Sequence, residues 1–236
     1  MEQCVIGYAG KDFVVSTPGK DHVWKNWSRK RTFFELDLLE RIRRMALEGT
    51  YIDVGANLGN HALFFQHFTR CKNLICVEPH PISGEYLEQN LRRNEWEGMP
   101  PWVLHQCAAA EYPSTRLLGG DYDGNTGSIH LLGATPEDPT WVTPTEAPSY
   151  LVPCRPLDHI AQGSVGEISL LKLDIEGYEH EAIKGARGIL TRHLPVVVAE
   201  LATAELRALF EAQLLPYGYK VEGRYAVTPT YIYVPA

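Results

Sequence analysis

No apolar run in the 236 residues approaches the roughly 18 that a membrane-spanning helix requires, so a helical membrane protein is not expected. Cysteine is scarce: Cys4, Cys71, Cys76, Cys107 and Cys154 are odd in number, scattered, and include no CxxC pair. That argues against a disulfide framework or a zinc site, and reduced thiols in a cytoplasm fit better. Positive charge is short as well, with 22 Lys and Arg against 29 Asp and Glu, a net charge of −7. Binders of duplex nucleic acid draw affinity from Lys and Arg neutralising phosphates, and this balance argues against one. The opening residues MEQCVIGYAGKDF lack the charged-then-apolar layout of a secretory signal. The chain is long enough to bury a large core without staples, and its length predicts one medium domain, residues 1–236, with additions.

The additions are located by rhythm. Residues 1–48 read as an extension: β-type runs at Val5–Tyr8 and Phe13–Ser16, then the aromatic-basic stretch Trp24 to Arg31. A helix follows from Phe34, with Leu38, Ile42 and Met45 on one face and Gly49 closing it. From 49 to 236 strands alternate with amphipathic helices. Tyr51–Gly55, Leu74–Glu78, Trp102–His105, Ser169–Asp174 and Pro195–Glu200 read as strands. The helices carry Leu58, Ala62 and Phe65; Leu87 and Leu91; Ala182 to Leu190; and Leu206 to Leu214. Such alternation predicts an α/β fold, a mostly parallel sheet with helices on both faces. Tyr217–Val221 and Tyr231–Val234 lie too close for a helical crossover and should pair as an antiparallel C-terminal hairpin. Between about 110 and 167 the alternation stops. Seven of the sixteen prolines fall there, and residues 133–148 read as a long loop, either a surface excursion or a lid.

Two motifs carry chemistry. Asp53-Val-Gly55-Ala-Asn57-Leu-Gly59 sits where the first core strand hands over to a helix, whose terminus offers unpaired N–H groups. Nineteen residues beyond Gly59, Glu78 ends the next strand, where an acid can accept hydrogen bonds from both ribose hydroxyls of a nucleoside. A dinucleotide fingerprint needs a glycine where Asn57 stands, and Asp53 would repel a pyrophosphate. A ligand carrying an ammonium and a sulfonium, as S-adenosylmethionine does, would be attracted. That reading leads over a dinucleotide and over a ligand-free glycine turn.

The second motif is Lys172-Leu-Asp174-Ile-Glu176-Gly177-Tyr-Glu179, at the carboxyl end of the fourth strand. Ligands of open α/β sheets sit along that edge. Asp174 and Glu176 are two apart and would share a face while the strand continues. Gly177 is expected to break the strand and start the next helix. Glu179 is read as an acid matched to the helix dipole.

Together these segments resemble the FkbM-type family of S-adenosylmethionine-dependent methyltransferases. The resemblance runs over about residues 33–200: Phe34-Glu35, Tyr51 to Leu63, Val77-Glu-Pro79 with Asn90 to Asn94, Asn125-Thr-Gly127, Leu157-Asp158, Leu171 to Glu179 with Lys184-Gly-Ala186, and Pro195 to Glu200. The first thirty residues and the Thr/Pro loop lie outside it. It implies a Rossmann-like class I methyltransferase fold with a seven-stranded sheet, and one S-adenosyl-L-methionine per chain. The reaction it implies is usually O-methylation of a sugar or secondary metabolite. By position, Asp53, Gly55, Asn57 and Gly59 would line the methionine end, and Glu78 would meet the ribose. The backbone near Cys107 and Ala108 would meet the adenine, Glu35 and Asn60 would add contacts, and Asp174 would lie near the methyl.

Methyl transfer needs in-line approach, and orientation alone supplies about 7–11 kcal/mol in the best intramolecular models. A hydroxyl must also lose its proton to a base. Glu176 and Asp174 are the first candidates and His61 the second, with Glu200 on the same edge. Asp174, Glu176 and Glu200 could together hold magnesium, but no dedicated ligand spacing is present, and the metal-free reading leads. Three rivals stand beside a small-molecule hydroxyl acceptor. One is an RNA methyltransferase using the Trp24–Arg31 stretch, which otherwise reads as a solvated basic loop with two partly buried Trp. The others are N-methylation of an amine or amide and a non-catalytic cofactor-binding module.

Overall fold

The computed structural model describes residues 2–19, 22–119, 130–131, 150–163 and 166–236. The Thr/Pro loop at 133–148 and the Asn125–Gly127 segment lie outside these residues.

The extension folds as a hairpin and two helices: β1 (Glu2–Tyr8), β2 (Lys11–Thr17), α1 (His22–Lys30) and α2 (Leu36–Met45). Ala9 and Gly10, both at positive φ, make the two-residue turn that matches strand twist. The stretch read as a solvated loop is therefore helix α1. Trp27 is fully buried in it, its indole Nε1 donating to Asn60 Oδ1 at 2.9 Å. Gly49 does not close α2. Ala46 does so in the left-handed conformation (φ 52), and Gly49 lies inside β3 (Glu48–Val54). Its φ of +143 and a Cβ position 2.5 Å from the Glu167 carbonyl explain the glycine there.

The core continues with α3 (Asn60–Phe68), β4 (Arg70–Val77), α4 (Pro81–Arg93), β5 (Trp102–His105), β6 (Ala108–Ala109) and β7 (Ser114–Gly119). Next come β8 (His130–Leu131), β9 (Tyr150–Arg155), α5 (Leu157–Ile160), β10 (Ile168–Leu173), α6 (Glu179–Lys184) and α7 (Arg187–Arg192). β11 (Val196–Glu200), α8 (Ala204–Leu214), β12 (Tyr219–Tyr225) and β13 (Thr230–Pro235) complete it. Seven strands form one sheet in the order β12-β13-β11-β10-β3-β4-β5; β11 to β5 are parallel, and the terminal hairpin joins β11 antiparallel through β13.

Both faces of this sheet are covered, which is why its central strands read as near-continuous apolar runs. Tyr51 and Leu170 pack on one face with α2, α3 and the N-terminal hairpin. Ile52, Val54, Leu171 and Leu173 pack on the other with α5 to α8. Strand alternation therefore turns Asp53 and Lys172 to the first face. The single helix expected from Ala182 to Leu190 is two, parted at Gly185, whose Cβ position is 2.3 Å from the Ala110 carbonyl. The stretch 110–167, expected to be loop-rich, also contributes β7, β8 and β9, which pair with β6 as a second sheet in the order β6-β9-β7-β8. No helix among the described residues is long and apolar enough to cross a membrane.

Candidate functional site

Strand order reverses between β3 and β10, and the carboxyl ends of β3, β4, β10 and β11 open there into a cavity of about 970 Å³. Its floor is the glycine loop. Gly55 has φ +75, and a Cβ on it would stand 1.8 Å from the Asp174 carbonyl, so only glycine lets the loops after β3 and β10 meet. Asn57 (φ 47) and Gly59 (φ 89) complete the turn into α3.

Glu78 follows β4 directly and is buried. Its Oε2 accepts from the Asn57 backbone N–H at 2.8 Å and its Oε1 from that of His80 at 2.9 Å. Burial pushes its pKa up to about 7 despite those two N–H groups. Cys107 and Ala108, leading into β6, line the same wall and are buried.

Opposite, β10 ends at Leu173, one residue earlier than expected. Asp174 and Glu176 therefore lie in a turn, with Glu176 at φ 56, and do not share a strand face. They nevertheless converge: one carboxylate oxygen each from Asp174, Glu176 and Glu200 lie within 4.8 Å of one another. Glu176 stands at the open mouth, yet loss of water around its carboxyl, followed by the Asp174 and Glu179 charges, pushes its pKa up to about 7. Desolvation, followed by the Asp174 and Glu176 charges, pushes Glu200 up to about 9. Glu179 is not a solvated dipole-matching acid. It is buried, and its Oε1 accepts from the Ile175 and Gly177 backbone N–H groups at 2.9 and 3.3 Å, closing the turn.

Glu35, left-handed at φ 53, faces His61 across the cavity wall, Oε2 to Nε2 at 3.2 Å. Asn60 is committed to structure: its Oδ1 accepts from Trp27 Nε1 and the Phe34 N–H, and its Nδ2 donates to the Phe34 carbonyl. Of the eight described non-glycine residues at positive φ, four (Glu35, Asn57, Glu176 and Ala226) line this cavity, so backbone strain concentrates there.

Two expected lining residues stand back from the wall. Gly59 turns behind Asn57, and Asp53 is fully buried beneath it, since strand parity aims it at the first core. Lys172 lines the cavity in its place, its Nζ 3.0 Å from Asp53 Oδ1. A lone lysine in the run Leu170-Leu171-Lys172-Leu173 was the signal for it. The outer wall comes from Val23, Asn26 and Lys30 on α1, of which Asn26 and Lys30 fall in the stretch considered for RNA binding, and from Ala226 to Thr228, which the sequence did not single out.

Residues 53–221 match the family described as "Methyltransferase FkbM domain". The 31-O-demethyl-FK506 methyltransferase FkbM of Streptomyces tacrolimicus is 28% identical over 171 residues, which are 63% of this chain and 64% of that protein. The chain thus spans under two thirds of that curated relative. The solved structure of methyltransferase FkbM from Methylobacillus flagellatus KT superposes with a TM-score of 0.55 at 21% identity, covering 79% of this chain and 43% of that one. The precorrin 8w decarboxylase of Methanobacterium thermoautotrophicum shares the fold at a TM-score of 0.50 and 12% identity, covering 85% and 90%. A family match over most of the chain, on a seven-stranded sheet with the cavity at its switch point, establishes that the protein belongs to the FkbM methyltransferase domain family.

Proposed function

We propose that the cavity binds S-adenosylmethionine and that the chain transfers its methyl group to a hydroxyl of a small molecule. Glu78 carries this reading: both its oxygens are already aimed by backbone N–H groups at the end of β4, leaving lone pairs for two ribose hydroxyls. Gly55 lets the loops after β3 and β10 close together as the cavity floor, and the carboxylates there suit a cation. Cys107 and Ala108 would border the adenine, and Asn57, Asp174 and Glu35 the methionine end. The outer wall from α1 and the β12–β13 turn would meet the acceptor.

The bound sulfonium supplies an electrophilic methyl carbon. Asp174 would offer negative charge to that cation, with Glu200, held protonated by burial and its neighbours, beside it. Glu176, with its pKa near neutral, would accept the proton of an acceptor hydroxyl, leaving that oxygen free to receive the methyl group that bound S-adenosylmethionine would supply. His61, oriented by Glu35, is the second candidate for that proton. The relative's name places its methyl on an oxygen, which supports a hydroxyl acceptor. The RNA alternative is less supported, because Trp27 is buried and cannot stack on a base.

Calorimetry with S-adenosylmethionine is expected to give one site per chain, and absence of binding overturns the reading. With methyl-labelled donor and low-molecular-weight cell extract, Glu176→Gln is expected to keep cofactor binding and lose labelled product. Full labelling removes Glu176 as the base, unconsumed cofactor favours a binding module, and label on nitrogen replaces the hydroxyl.

A further inference from the structure

Lys172 is a buried ammonium in the middle of the sheet, a placement that costs several kcal/mol unless the charge is paired and hydrogen-bonded. Its register partner on β3 is Asp53, and one carboxylate would satisfy the pairing. The ammonium does more. Its Nζ donates to the Gly55 carbonyl at 2.9 Å and lies 3.0 Å from Asp53 Oδ1, 3.5 Å from the Val54 carbonyl and 3.5 Å from Asp174 Oδ2. These partners are the end of β3 with the loop that follows it, and the loop after β10, which meet at the cavity floor. Asp53 is wholly buried, whereas the Asp174 side chain keeps 30% of its exposure. The ammonium thus links an internal charge to a cavity charge.

We infer that Lys172 is a positioning residue for methyl transfer, locking the Gly55 carbonyl and the Asp174 carboxylate into one frame at the methionine end of the cavity. The inference rests on the methyltransferase reading of that cavity. Lys172 acts without touching the reacting atoms, since its ammonium is engaged by the Gly55 and Val54 carbonyls and ion-paired to Asp53 and Asp174. Burial alone would lower its pKa; Asp53, Asp174 and the more distant Glu35 outweigh burial and raise it, so the ammonium stays charged. The same charge opposes the rise at Glu176 and Glu78, which keeps those carboxylates available to a cation near neutral pH.

Lys172→Arg and Lys172→Met separate geometry from charge, with calorimetric titration of S-adenosylmethionine from pH 5.5 to 8.5 and thermal unfolding as the fold control. Binding by the wild type should strengthen as pH rises through about 7, where Glu78 and Glu176 ionise. Lys172→Arg keeps the charge but cannot place one ammonium between the loops; binding should weaken about tenfold with an unchanged pH midpoint, about 1.4 kcal/mol. Lys172→Met should shift the midpoint upward as well. Where Lys172→Met does not fold, the arginine variant decides. A folded Lys172→Arg that binds with wild-type affinity overturns the inference alone. A wild-type chain that binds no S-adenosylmethionine overturns the cofactor reading and the inference together.

Discussion

Glu78→Gln tests the cavity's electrostatics through stability as well as through binding. The carboxylate is pulled two ways. Each oxygen accepts one backbone N–H, from Asn57 and from His80, while burial raises the pKa from its ordinary 4.5 to about 7. At about 1.4 kcal/mol per pKa unit, that rise is worth about 3 kcal/mol of native stability. Because the folded pKa is the higher one, this contribution is fully present below pH 4.5 and is lost as pH rises through 7. Glutamine does not titrate. Its NH₂ must face one of the two N–H groups, leaving a buried donor unpaired at a cost of about 1–3 kcal/mol. Urea unfolding should therefore find the variant less stable than wild type by about 1–3 kcal/mol at pH 5. At pH 8 the two should converge or exchange order. S-adenosylmethionine affinity at pH 8 should fall about 10- to 100-fold with the loss of one charged acceptor. Stability curves that stay parallel from pH 5 to 8 would refute the claim that burial dominates at Glu78.

Two further outcomes concern the frame around the cavity. Gly55 and Gly10 have nearly equal φ, +75 and +77, but a Cβ at Gly55 meets the Asp174 carbonyl while one at Gly10 meets nothing within 4 Å. Gly10→Ala should cost about 1 kcal/mol and Gly55→Ala about 3 kcal/mol or more, read from urea midpoints; equal losses would mean that conformation alone, not close approach, selects glycine at 55. Asn60→Ala removes three hydrogen bonds and should destabilise by about 2–4 kcal/mol. Its hydrogen exchange should rise between Trp27 and Phe34 and stay unchanged in β4 and β11, whereas a uniform rise would contradict a local role.

The central strands were legible because burial on both faces turns them into short apolar blocks that nothing else in the chain imitates. Glu78 and the Asp174–Glu176 pair were legible because each stands where such a block ends. Position along the chain does not settle which way a side chain points. Asp53 shares the parity of Tyr51, which packs in the first core, and that parity sends it under the floor and brings Lys172 to the wall. Gly49 reads as a helix stop and Gly185 falls inside an expected helix, but each admits a carbonyl from a segment distant in sequence. The α1 helix was obscured by its density of charge and tryptophan; its burial depends on Asn60, a partner 33 residues away. The Ala226–Thr228 half of the outer wall was unread because its meeting with α1 joins two ends of the chain that no local pattern relates.

The N-terminal hairpin is also fastened to α4 by asparagine amides. Asn90 bonds the Ser16 N–H and carbonyl, and Asn94 bonds those of Val14, just as Asn60 fixes Phe34. Carboxamides neither titrate nor respond much to salt, unlike the carboxylates that crowd the cavity floor. The wall that α1 presents is thus hung on fasteners indifferent to acidity. Proton movements at Glu78, Glu176 and Glu200 can change the charge of the cavity while its outer dimensions hold. Under the proposed function, selection by shape and reactivity by charge would therefore fall to different chemical groups.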